Sequence, residues 1–397
     1  MSDSPERPET FLGELVDRAR KANGASPPQE GTGYSEETFW QALQDRAGEA
    51  AEENGTSPPE EVTEHVYNRL LARVFAAGPD TWMVDGGRSL AIRYPGFRLT
   101  TDLDVSTVAK GRLDLVVAAF IRAAERDAGD FVRFEVEAAT QFSTPPGAQI
   151  DFAVTCGGRR VDGVSVDVVL STPLAAEPDV RPLPRPLVSV GTEAADPGVR
   201  VRPLLNQMAN KIGGLFIHWD GLPPSRAKDL VDILLMAAKE DFPGRRLHEV
   251  TREEFALIRA RGNELHVPPR FEVPDESWER RYAKAVSRAP GCPQRTLDAA
   301  MPVARAFLDP LLLPDPPDAD WDHERGRWVR PTEGERRSEV PTVERTSGTG
   351  MVAMDTPAQR GPVRRTAPAS DEAHGNPLLR SPRRSPGQEG RPRPSLG

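Results

Sequence analysis

The segment from Trp82 to Asp104 holds the chain's most pointed chemistry. A short apolar run ends at Asp85, two glycines let the backbone approach a ligand closely, and a helix is predicted to begin at once. The first N–H groups of a helix lack partners and lie at the positive end of its dipole, so Gly86, Gly87 and Ser89 make a candidate phosphate cradle. On a following strand, the alternation Asp102-Leu103-Asp104 turns both carboxylates to one face and Leu103 to the other. Such a pair repels unless a cation lies between its members, and Mg²⁺ suits an all-oxygen set that also meets substrate phosphates. A third carboxylate on a neighbouring strand would complete a two-metal clamp, with Asp151 and Asp167 as candidates. Taken singly, Gly-Gly is ordinarily a turn and Asp-x-Asp a solvated strand edge. In combination they supply what nucleoside-triphosphate chemistry requires.

Other chemistries are excluded by what the 397 residues lack. Two cysteines, Cys156 and Cys292, and six histidines without HxxxH or CxxC spacing give neither a disulfide framework nor a zinc site. No lysine follows a glycine, so there is no GxxxxGK loop; neither Gly-x-Gly pair extends to GxGxxG, and Ser165 lacks the flanking glycine of a nucleophile elbow. Net charge is −9, so a nucleic-acid partner must find a local basic patch. Mean hydropathy is −0.51 and no apolar run reaches membrane-spanning length. The start, MSDSPERPET, carries no secretion signal, and the expected location is the cytoplasm.

The elements that must position these residues follow from periodicity. Residues 36–53 and 60–77 read as helices, the second capped by Ser57 with Pro58 and Pro59 in its first turn. Strand Trp82–Val84, a short helix through Leu90 and Ile92, the DLDVS strand and a helix over residues 111–126 come next. Three stretches with period-two character follow, FVRFEVEAA, AQIDFAVTC and GVSVDVVLS. Beyond Pro203 the pattern is helical, over about 203–217, 224–240, 251–261, 275–288 and 296–312. The fold class is thus α+β, an α/β half (36–200) followed by an all-α half (201–315). Residues 1–35 read as a flexible arm, and residues 316–397 as an acidic linker (DPPDADWDHE, 315–324) and a disordered tail. From Pro331 on there are ten prolines, no aromatic residue, and eleven arginines against eight acids.

These residues carry a family resemblance. Gly86, Gly87, Ser89, Asp102 and Asp104 resemble the hG[GS]…Dh[DE] signature of the DNA-polymerase-beta-like nucleotidyltransferases, and the wider sequence is similar to the AbiEii/AbiGii toxin branch. Arg98, Thr100, Asp102 and Asp104 match the branch's Arg-x-[Ser/Thr]-x-Asp-x-Asp stretch. GGRRVDGVSVDVV matches its hairpin, which favours Asp167 over Asp151, and NQMANKIGGLF and SRAKDLVDILL match the helices that follow. The resemblance spans residues 38–313. It implies a nucleotidyltransferase-fold mixed sheet with flanking helices, an NTP substrate with Thr100 beside the cradle, and Mg²⁺ or Mn²⁺ on Asp102, Asp104 and Asp167. It also implies a catalytic lysine, Lys211, meeting the triphosphate, and an active-site acid, Asp229. The acceptor it implies is RNA, a tRNA 3′ end, in a toxin of an abortive-infection system for phage defence whose antitoxin need not bind it directly.

The chain departs from the pattern at Asp85, where the family often has lysine, and at Arg88, which could restore the lost positive charge. For Lys211 the plainer reading is a snorkelling lysine. For Asp232 it is an i,i+4 pair with Lys228, and for His218 and Trp219 it is packing. Two other functions compete: transfer to a small molecule or a protein side chain, and nucleotide binding without transfer.

Overall fold

The computed structural model describes residue 13 and residues 33–330, except 95–96, 98–99, 101, 108–111, 144, 171–172, 192–197 and 219–220. The expected flexible arm (apart from residues 13 and 33–35), the disordered tail from residue 331, and Arg98 and Trp219 lie outside the described residues. Chain contacts divide at Val340, and the second unit, 341–397, is likewise outside them.

Two capped helices open the fold. In α1 (Glu36–Asn54) Ser35 Oγ accepts from the Thr38 N–H at 3.2 Å while Thr38 Oγ1 accepts from the Ser35 N–H at 2.8 Å. In α2 (Pro58–Ala77) Glu60 reaches back to the Ser57 N–H at 3.0 Å. They are followed by β1 (Trp82–Val84), α3 (Gly86–Arg93), β2 (Leu103–Thr107), α4 (Leu113–Ala124), β3 (Val132–Ser143), β4 (Pro146–Cys156), β5 (Arg159–Leu170), β6 (Asp179–Arg181) and β7 (Val199–Val201). The seven strands form one mixed sheet, ordered β3-β4-β5-β2-β1-β7-β6, in which β2 runs parallel to β5 and β1 parallel to β7. One sheet face, with Leu103, Val105, Val166 and Val168, packs on α1, α2 and α4 to form a first hydrophobic core. The opposite face carries Asp104 and Asp167.

A second core is built from α5 (Leu204–Gly214), α6 (Ala227–Ala237), α7 (Gly244–Ala260), α8 (Ser277–Ser287) and α9 (Leu297–Leu312), with two short strand pairs, β8 (Ile217–His218) with β9 (Glu264–Leu265) and β10 (Asp320–Asp322) with β11 (Arg327–Val329). The last pair corrects the reading of residues 315–324 as a solvated linker. Trp321 is 1% exposed and donates to the Ala237 carbonyl at 2.7 Å; Trp328 donates to Ala306 at 2.9 Å and stacks on Phe307. The acidic residues lie around one buried and one half-buried indole, so composition hid a packed hairpin.

Candidate active site

Val84 pairs with Val105, and the Asp85 N–H donates to the Asp104 carbonyl at 2.9 Å, so the end of β1 lies against β2 where the acids sit. Asp85 caps α3, accepting from the Gly86 N–H at 2.9 Å. Gly86 has φ +59, and a Cβ there would fall 1.8 Å from Asp104 Oδ2; only glycine admits the carboxylate so close to the helix start. Gly87 and Thr100 line the same cleft, about 420 Å³ in volume. Thr100 Oγ1 donates to the Asp102 carbonyl at 3.3 Å. Ser89 does not reach the cleft wall: it is buried, and its hydroxyl turns back to the Gly86 carbonyl at 3.0 Å.

The parallel register sets Asp104 directly opposite Asp167. Asp151 is opposite Ser165, whose hydroxyl donates to it, one row further back and outside the cleft lining. Asp102 precedes β2, is exposed, and has Lys228 Nζ at 3.8 Å from its Oδ2. Burial, then Asp85 and Asp167, push the Asp104 carboxyl up to about 6 against the opposing pull of Lys211. Burial also raises Asp167, with Asp102 and Asp151 adding to it and a hydrogen bond from Gln149 working the other way. Among the described residues no group of three or more His, Cys, Asp or Glu side chains is already gathered as a metal site. The donor chemistry nonetheless fits a hard divalent cation: Asp102, Asp104 and Asp167 offer oxygen alone, and Asp104 bears the mark of a carboxylate short of positive charge.

Facing these acids is a cationic wall. Lys211 on α5 is 6% exposed, lines the cleft, and lies 2.9 Å from both Asp229 and Asp232. It is therefore held by a pair of buried carboxylates rather than snorkelling. Asp232 is fully buried against it, which corrects the expected Lys228–Asp232 pair. Asp229 is not brought to the cleft; its carboxylate is buried between Lys211 and Arg226, the latter at 3.6 Å. Two adjacent glycines permit this packing: a Cβ on Gly214 would meet Asp229 Oδ2 at 2.6 Å, and one on Gly213 would meet Ile258 Cδ1 at 2.5 Å.

Arg88 does not restore charge to the cradle. It is buried under Tyr67, pairs with Glu64 and donates to the Thr100 carbonyl at 3.1 Å. Its part is to tie α3 to the loop before Asp102. The positive partner of Asp85 is Arg202, with Nη1 2.6 Å from Asp85 Oδ2. Arg202, Arg226, Lys228 and Arg261 line the cleft and were missed from sequence, since nothing in the spacing of Asp85 and Arg202, 117 residues apart, joins them. Arg226 carried a local signal, standing three residues before Asp229 on a helical face. His218 packs on His266, ring to ring at 4.5 Å, as its packing reading expects.

A glycine-opened helix start beside two strand carboxylates, faced by a buried lysine, is the apparatus of a nucleotidyltransferase. Residues 69–321 match the family described as nucleotidyl transferase AbiEii toxin, type IV TA system, and the chain belongs to that family of nucleotidyltransferase toxins. Among solved structures it is similar to MenT4, a nucleotidyltransferase toxin from Mycobacterium tuberculosis H37Rv, at 15% identity and TM-score 0.42 over 68% of this chain and 94% of that one. A second, JHP933 from Helicobacter pylori, is similar at 13% identity and TM-score 0.34 over 69% and 94%. Among curated proteins none matches.

Proposed function

We propose that this protein transfers a nucleoside monophosphate from an NTP to the 3′-hydroxyl of an RNA, a tRNA 3′ end, and arrests growth by blocking translation, as the toxin of a phage-defence system. The observation that carries the reading is the polarity of one cleft, lined by Asp104 and Asp167 on the sheet, by Lys211 on α5, and by Arg202 beside Asp85 at the end of β7. The triphosphate would lie along the start of α3, its oxygens near the positive end of that helix at Gly87 and the charges of Lys211 and Arg202. The acceptor hydroxyl attacks the α-phosphorus, the bond from that phosphorus to the bridging oxygen breaks, and pyrophosphate departs toward Lys211. Asp167 would hold the ion that activates the acceptor hydroxyl. Asp229 is a positioning residue that, with Asp232, fixes the lysine ammonium. Asp102, Asp104 and Asp167 would hold Mg²⁺ or Mn²⁺, which supplies charge neutralisation at the phosphates and a more acidic hydroxyl.

Purified protein incubated with each labelled NTP, Mg²⁺ and total RNA tests the proposal. Label is expected in one RNA size class and lost on Asp104→Asn. Label confined to protein or to small molecules would redirect the reading to another acceptor, and no transfer with any NTP or fraction would overturn it.

A further inference from the structure

Past the two carboxylates the cleft continues over a surface that the phosphate chemistry does not use. One row along the strands from Asp104 and Asp167, Ser106 stands opposite Val169, Val169 opposite Gly147, and Gly147 opposite Phe142. Side chains alternate along a strand, so this row faces the cleft with the acids. A Cβ on Gly147 would strike the Phe142 ring at 2.5 Å and the Val168 carbonyl at 2.8 Å, so the ring sits over the glycine, and Phe142 and Pro145 both line the cleft. Ser106 is 1% exposed and lines this cleft, yet among the described residues its Oγ has no hydrogen-bond partner. A buried hydroxyl left so is costly unless something outside the fold supplies the bond.

The order of the strands says which ligand passes here. The phosphate cradle lies beyond β1, Asp104 is on β2, Asp167 is on β5, and the Phe142 ring lies across β4 and β3. The donor's phosphates are at one end of that series, so the opposite end belongs to the acceptor. Two residues along a strand advance about 7 Å, a span that one ribose and its base can cover. An aromatic ring is a common platform for an unpaired base, and Ser106 is two strands, about 10 Å, from Gly147, within reach of the far edge of a base that extends from the ring across β5.

We propose that Phe142, Val169 and Ser106 form a subsite for the terminal, unpaired nucleobase of the acceptor strand, with the base stacked on Phe142 and one of its polar edge atoms bonded to Ser106 Oγ. This rests on the reading of RNA as acceptor. A fluorescent single-stranded RNA ending in a 3′-hydroxyl is titrated with full-length protein in the absence of NTP, and KM values for RNA and NTP are then measured. Phe142→Ala is expected to weaken RNA affinity roughly ten- to hundredfold, with the NTP KM unchanged. Phe142→Leu keeps apolar bulk without an aromatic face and should bind as weakly, whereas Phe142→Trp should restore binding; melting curves confirm that each variant is folded. Ser106→Ala should narrow the differences in affinity among RNAs ending in A, C, G or U. A raised NTP KM with unaltered RNA affinity would assign the shelf to the donor base and overturn the proposal, as would no change in either quantity. If the wild-type protein labels no RNA, the transfer reading fails, while the affinity series still decides the shelf.

Discussion

Gly86 and Lys211 are the residues whose replacement separates chemistry from architecture. Gly86→Ala puts a Cβ into Asp104 Oδ2 on a backbone at φ +59, so the variant must move either the cradle or the carboxylate. Label transfer should fall at least about a hundredfold, the scale set by loss of one preorganised contact at a reacting charge, with melting lowered only modestly. Lys211→Met has a different signature, because it leaves Asp229 and Asp232 buried without their shared cation. Stability should drop by about 3–5 kcal/mol, as when one partner of a buried pair is removed. Adding Asp232→Asn should recover much of it, while transfer stays down roughly 10²–10³-fold in both variants. Activity that returns together with stability would make the lysine purely structural.

At the scale of elements, the parts written in local pattern were legible and those made by distant partners were not. The helix start at Gly86, the strand that carries Asp104 (with Asp102 just before it) and the alternation that sets Asp167 on the open face are each determined by neighbours within a few residues. Helix α7 begins at Gly244, well before the expected residue 251, since its first turn is shaped by the final hairpin: a Cβ on Gly244 would fall 2.0 Å from the Ala319 carbonyl. The short strands β6 and β7, and the pairing of Lys211 with Asp232, depend on chain brought together only by folding. So does the buried cluster that joins α2 to the start of β3, where Arg69 and Arg73 enclose Asp130. Burial alone would raise the Asp130 carboxyl, but the two guanidiniums outweigh it and hold the group below the usual carboxylate range. A depressed folded-state value means the stabilisation is complete above about pH 4, the unfolded range, and is lost as pH falls through the folded value. Asp130→Asn should therefore cost about 3–5 kcal/mol at neutral pH and less in acid, a convergence that urea melts at pH 7 and pH 3 would reveal. An equal loss at both pH values would count against the ion pairs.

At the scale of the whole molecule, the last described element is the Trp321–Trp328 hairpin, and the Arg/Pro-rich sequence of residues 331–397 is poor in apolar residues. Removing residues 331–397 should leave melting unchanged and weaken RNA binding chiefly at low salt, where its arginines are least screened. Binding that weakens equally at high salt would mean those residues make specific contacts instead. Helix α3 joins the body's two cores, with Ile92 packing into the first, Leu90 and Tyr94 into the second, and the Tyr94 hydroxyl on Glu240 at 2.9 Å. The helix that opens the cradle is thus common property of both halves, and neither can come apart while it stays seated. Calorimetry should accordingly record one cooperative unfolding transition rather than two, displaced upward as a whole by nucleotide, since a ligand gripped at Gly86 is released only when both cores give way together.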